Sequence, residues 1–70
     1  KVGALLKEMT PTSTKVSLRS RGAVNVSEIA QRFGGGGHVN ASGCTMEMSI
    51  EDTRNKLIEI LKAAVEESGD

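Results

Sequence analysis

Seventy residues, nine basic against nine acidic side chains and a single aromatic residue, Phe33, set the first bounds on this chain. A chain of that length makes one small domain near the lower limit for an unaided core; one cysteine, Cys44, and one histidine, His38, exclude an internal disulfide and a zinc-finger ligand set and fit a reduced, cytoplasmic setting. The balanced charge argues against a nonspecific grip on nucleic acid, the lone aromatic argues against a base-stacking platform, and no apolar run approaches the roughly 20 residues of a membrane span or resembles a signal peptide.

The first residues are already strand-like and carry no initiator methionine, so a piece of a longer protein is expected. Val2 to Met9 is mainly apolar, and Lys15 to Arg21 alternates, with Val16 and Leu18 on one face and Ser17, Arg19 and Arg21 on the other. Thr10 to Thr14, with Pro11 inside it, reads as the turn of an antiparallel hairpin, and Gly22 closes the second strand. Asn25 suits a helix N-cap with Glu28 completing a capping box, and Val26, Ile29, Ala30 and Phe33 form one apolar stripe. Gly34 falls where a left-handed C-terminal residue is expected.

The helix then delivers the chain into four consecutive glycines, Gly34, Gly35, Gly36 and Gly37, which run directly into His38. Beyond them Cys44, Met46 and Met48 alternate with Thr45 and Glu47 as a third strand. Ser49, with Asp52 three residues on, caps a last helix whose buried stripe is Leu57, Ile58, Leu61, Ala64 and Val65, and Glu66 to Asp70 should fray. The expected fold is α/β of the α+β kind: a small mixed sheet with two helices, in the order strand, strand, helix, loop, strand, helix.

A glycine run is costly to order, and linkers do not usually sit between an amphipathic helix and an alternating strand. The run therefore suggests bare backbone put to use, as a nest of N–H groups facing an anion with His38 at its edge. Two familiar phosphate loops are excluded. No lysine lies between Lys15 and Lys56, so a P-loop is absent. A dinucleotide fingerprint needs its glycines after a strand, whereas here they follow a helix, and positions 39 and 40 are Val and Asn.

His38, flanked by glycines and without a packing partner in sequence, is expected to meet a phosphate, and Arg19 can present a planar fork to one. With no second histidine and no carboxylate cluster, His38 does not build a metal site alone. Arg21 reads as part of a solvated strand face. Asn40 and Ser42 suit either a ligand or a turn cap, and both readings stay open. Cys44 reads as a small buried residue without a base to activate it, and Met46 and Met48 as packing.

Ser17-Leu18-Arg19-Ser20-Arg21, then Asn25-Val26 opening a helix, then Gly34-Gly35-Gly36-Gly37-His38 with Ala41-Ser42-Gly43, form an ordered set. The set resembles the C-terminal, DHH-associated domain of the DHH phosphoesterase superfamily over nearly the whole chain. It looks nearest to the bacterial oligoribonuclease and 3′,5′-bisphosphate nucleotidase branch, with cyclic-dinucleotide phosphodiesterases and RecJ exonucleases as more distant relatives. The resemblance implies that residues 1–70 are the substrate-binding domain of a two-domain enzyme. The attached N-terminal domain would carry the Asp-His-His motif and two divalent metal ions, usually manganese; the motif is absent from this chain, which would have no catalytic residue, metal or cofactor of its own. The resemblance places Arg19 and His38 at substrate phosphate, the backbone of Gly34, Gly35, Gly36 and Gly37 with Ala41 against the nucleotide, and Ser17, Ser20, Asn40 and Ser42 as secondary contacts. The implied partners are a short oligonucleotide or nucleotide phosphate and the linked DHH domain, with any homo-oligomer formed through the parent protein. A different class, a noncatalytic RNA-binding module like the C-terminal domain of alanyl-tRNA synthetases, predicts a preference for tRNA over a dinucleotide.

Overall fold

A computed structural model describes residues 1–69. Six elements follow one another: β1 (Val2–Thr10), β2 (Ser13–Ser20), α1 (Val26–Gln31), β3 (Gly36–His38), β4 (Ala41–Met46) and α2 (Ile50–Ser68). The strands make one sheet in the order β1-β2-β4-β3, with every pairing antiparallel. The expected α+β domain of one small sheet and two helices is what the chain forms, with one strand more than the sequence suggested and no parallel pair.

Alternation along β2 sorts the two faces. Thr14, Val16, Leu18 and Ser20 are buried; Lys15 and Arg19 are exposed and Ser17 is half-buried. The buried set joins Cys44 and Met46 of β4, Val26, Ile29 and Ala30 of α1, and Leu57 of α2 in one core. Both helices thus cover the same face, α1 over β3 and β4 and α2 over β1 and β2, and the opposite face has no layer on it.

Several boundaries differ from those expected. Only Pro11 and Thr12 make the first turn; Thr10, Ser13 and Thr14 belong to strands, and the ladder shifts register between Glu8 and Thr10. β2 ends at Ser20, so Arg21 and Gly22 lie in the bend beyond it, with Gly22 at φ +118°. β4 begins at Ala41 and stops at Met46, leaving Met48 as a half-buried packing residue outside the strand. Ile58 is 49% exposed instead of buried, because α2 meets the sheet through Leu57 with Leu61, Ala64 and Val65 only partly covered. The last helix continues through Ser68 and closes on Gly69 in the left-handed conformation at φ +77°, so Glu66 to Ser68 are helical; Asp70 lies outside the described residues. The two N-caps form as expected: Asn25 accepts from the Glu28 N–H and Ser49 from the Asp52 N–H, each at 3.1 Å.

Cys44 sits on the covered face and is 8% exposed. Burial pushes its thiol above the ordinary value, since a thiolate there would lose its water. Folding thus disfavours the thiolate; the stability the thiol contributes is present below the unfolded-state pKa and lost as pH rises through the raised folded value. Alkylation by iodoacetamide near pH 8 is expected to be at least roughly tenfold slower in the folded chain than in urea, followed by mass spectrometry. Equal rates would mean that the β4 inner face opens readily.

Candidate nucleotide-phosphate site

The glycine run divides by position. Gly34 and Gly35 end α1. Gly34, at φ +80°, donates to the Gln31 carbonyl at 3.1 Å, and Gly35 donates to Ala30 at 2.9 Å, the paired bonds of a Schellman cap. Their N–H groups are therefore committed to the helix end, and the expected four-residue anion nest does not form. Gly36 and Gly37 enter β3 and pair with Gly43 and Ser42.

Three of the four glycines have a steric reason. Gly34 has its positive φ. At Gly35 a Cβ would run into the Gly43 carbonyl oxygen and lie 2.7 Å from the Cys44 Cβ. At Gly37, φ is +147° and a Cβ would lie 2.6 Å from the Ala41 carbonyl oxygen. Gly36 has neither: its φ is not positive and a Cβ there would meet nothing within 4 Å. A glycine facing a glycine across two strands weakens a sheet, since neither has a side chain to pack. The Gly36–Gly43 pair keeps an open patch bare on the uncovered face.

Register places the remaining candidates. Gly3 pairs with Arg19, Arg19 with Ala41, and Ala41 with His38, so these four residues form one row across all four strands. Directly opposed residues project to the same side, and Arg19 is on the uncovered one. Strands about 4.8 Å apart put Arg19 and His38 about 10 Å apart at the backbone, with the short Ala41 between them. An anion resting on the Ala41 methyl group is within reach of both side chains. One Arg19 N–H group, on Nη1, donates to the Leu18 carbonyl at 3.0 Å, which leaves most of the guanidinium fork available. The next row is Leu5, Ser17, Gly43 and Gly36, and the third is Lys7, Lys15 and Thr45. No carboxylate projects from these three rows. The zero net charge thus conceals an uneven distribution: these rows carry Lys7, Lys15 and Arg19 and no acid, while α2 carries the five acids Glu51, Asp52, Glu59, Glu66 and Glu67 against the three bases Arg54, Lys56 and Lys62.

The other candidates fall on the covered side. The Ser20 hydroxyl donates to the Val24 carbonyl at 2.8 Å and accepts from Asn40 Nδ2 at 3.0 Å. The Ser42 hydroxyl donates to the Val26 carbonyl at 2.6 Å, and the Val26 N–H donates to Val39 at 2.9 Å. Ser27 reaches the Gly37 carbonyl at 3.3 Å. Ser20, Asn40 and Ser42 thereby form a clamp that fastens the β3–β4 turn to the start of α1 and the end of β2. That clamp positions His38 relative to Arg19. The structure brings Arg19, Gly36, His38 and Ala41 together on the open face with Ser17; it keeps Ser20, Gly34, Gly35, Gly37, Asn40 and Ser42 in the supporting frame. Gly43, Lys7, Lys15 and Thr45 join the face without having been candidates, because their place depends on strand register.

Among the described residues, no three of His, Cys, Asp and Glu gather where they could hold a metal ion, and no helix is long and apolar enough to cross a membrane.

The DHHA1 domain model matches residues 1–67. The chain is similar to the bifunctional oligoribonuclease and PAP phosphatase NrnA of Thermus thermophilus, 38% identical over 56 residues that cover 79% of the chain and 17% of that protein. It is also similar to the oligoribonuclease NrnB of Bacillus subtilis, 57% identical over 35 residues that cover 49% of the chain and 9% of that protein. The chain thus spans under a fifth of the length of either relative. With a family model matched across both helices and all four strands, the chain belongs to the DHHA1 domain family.

Proposed function

We propose that this domain holds the substrate of a DHH-type phosphoesterase acting on short oligonucleotides or nucleotide 3′,5′-bisphosphates. The observation that carries the reading is the row Arg19–Ala41–His38 beside the bare Gly36–Gly43 pair, all on the sheet face that no helix covers. Arg19 offers a charged fork and His38 a ring N–H from the strands on either side of Ala41, and such charge-assisted donors suit a phosphate. The Gly36–Gly43 patch lets the sugar or base approach the backbone closely.

The two divalent ions, manganese by resemblance, and the hydrolysis are on this reading supplied by an attached catalytic domain; among the described residues no three of His, Cys, Asp and Glu gather to hold a metal ion. On this reading the present chain binds and orients, and the parent enzyme works in the cytoplasm. The names of the relatives support an oligonucleotide or a 3′,5′-bisphosphate as the substrate class.

Amide chemical shifts test this directly. Titration of the chain with adenosine 3′,5′-bisphosphate or 5′-phosphorylated diadenylate is expected to move Arg19, Gly36, His38, Ala41 and Gly43, and adenosine is expected to move them little. Shifts concentrated on α1 and α2, or a clear preference for tRNA over the dinucleotide, would overturn the assignment.

A further inference from the structure

The third row of the open face has no role in the phosphate site just described. Lys7 and Lys15 stand directly opposite each other in the β1–β2 ladder, and Thr45 stands opposite Lys15 in β4. Like charges directly opposed on neighbouring strands destabilise a sheet. Among the described residues neither ammonium has a carboxylate partner; Glu47, just beyond β4, is the acceptor of a 3.4 Å hydrogen bond from Ser13. An uncompensated lysine pair with a hydroxyl beside it is a ready site for an anion supplied from outside.

Its spacing from the first site identifies the ligand. Arg19 and Lys15 are four residues apart on β2, about 13 Å along the strand. Between them lies the row of Leu5, Ser17, Gly43 and Gly36: one 73% exposed leucine and three residues with small side chains or none. Two cationic rows therefore flank a shallow, neutral and partly apolar trough. The span exceeds the separation of the two phosphates on one nucleoside and fits phosphates two nucleotides apart in one strand, with the long lysine and arginine side chains taking up the difference. Leu5 offers an apolar rest for a base face, which this nearly aromatic-free chain otherwise lacks.

Building on the assignment of Arg19 and His38 to phosphate, we infer that Lys7, Lys15 and Thr45 form a second phosphate subsite. The oligonucleotide strand runs along β2, its first phosphate over Ala41 and a later one at the lysine pair. The second row then adds affinity with substrate length and adds nothing for a single nucleoside bisphosphate.

The test is a binding series on the full chain with adenosine 3′,5′-bisphosphate, 5′-phosphorylated diadenylate and 5′-phosphorylated triadenylate, repeated with Lys7→Gln/Lys15→Gln after circular dichroism shows the variant folded. The wild-type chain should bind the trinucleotide about tenfold more tightly than the bisphosphate, as expected for one added charged contact. The variant should lose that gain, show a shallower salt dependence for the trinucleotide, and bind the bisphosphate as before. Equal weakening for all three ligands would mean a diffuse field with no subsite, and no weakening would mean that the lysines do not touch the strand; either overturns the inference. A wild-type chain that binds the bisphosphate without any gain in length overturns this second row alone. One that binds none of the three overturns the Arg19–His38 reading and this one with it.

Discussion

Gly35→Ala is expected to destabilise the fold by about 3 kcal/mol, the upper part of the range for forcing an extra methyl group into a packed site. The added Cβ runs into the Gly43 carbonyl oxygen and lies 2.7 Å from the Cys44 Cβ and 2.8 Å from its Cα. These are backbone atoms and the first side-chain atom of a central strand, so no rotamer change relieves them. Relief requires moving β4 or the end of α1, and the Gly35 N–H is already fixed to the Ala30 carbonyl at 2.9 Å. For a domain this size the loss corresponds to a fall in melting temperature of about 12–24 °C, readable by calorimetry or circular dichroism. The neighbouring Gly36→Ala is the control. Its Cβ enters open space at an ordinary φ, so stability should stay within about 0.5 kcal/mol of wild type while nucleotide binding weakens. If both variants melt alike, the division of the glycine run into a packing half and an open half is wrong.

That division shows where the sequence was legible and where it was not. The caps were readable because they are local: Asn25 with Glu28, Ser49 with Asp52, and Gly34 after an amphipathic stripe each make their bonds within a few residues. The hairpin faces followed from alternation alone, which put Arg19 and Ser17 opposite Val16 and Leu18. The third strand of the chain, Gly36–His38, left no such trace. Glycine has no side chain to alternate, so a three-residue glycine-rich edge strand carries no period to detect. Register is likewise invisible locally. Nothing near Lys15 in sequence announces Lys7 and Thr45 as its lateral neighbours; that depends on the two-residue turn at Pro11–Thr12 and on the antiparallel pairing of β2 with β4. Net charge misled for the same reason, because nine bases and nine acids cancel in the sum but not across the sheet. Ser20, Asn40 and Ser42 were conspicuous for their pattern, and the pattern proves to be that of a clamp: short hydroxyl and amide side chains that satisfy backbone carbonyls where turn, helix start and strand end converge.

If the proposed phosphate site is right, Arg19→Ala weakens binding of adenosine 3′,5′-bisphosphate by about 2–4 kcal/mol, roughly 30- to 1,000-fold in affinity, the cost of removing one side of a close charged contact. Arg19 is exposed, and its guanidinium donates to the carbonyl of its own neighbour Leu18, so its loss should leave the melting temperature nearly unchanged. His38→Ala should weaken the same ligands by a similar mechanism from the far side of Ala41. In the proposed site both side chains hold one phosphate from either side of a single intervening strand, so their effects should not add. The double variant is expected to lose less than the sum of the single losses, measured as dissociation constants for adenosine 3′,5′-bisphosphate by calorimetry. Arg19→Lys separates charge from shape: a lysine keeps the positive charge but not the fork, so it should recover only part of the lost affinity. Strict additivity would place Arg19 and His38 on different phosphates. Near wild-type affinity in both single variants would remove the row from the binding site, leaving the bare Gly36–Gly43 pair without a ligand to explain it.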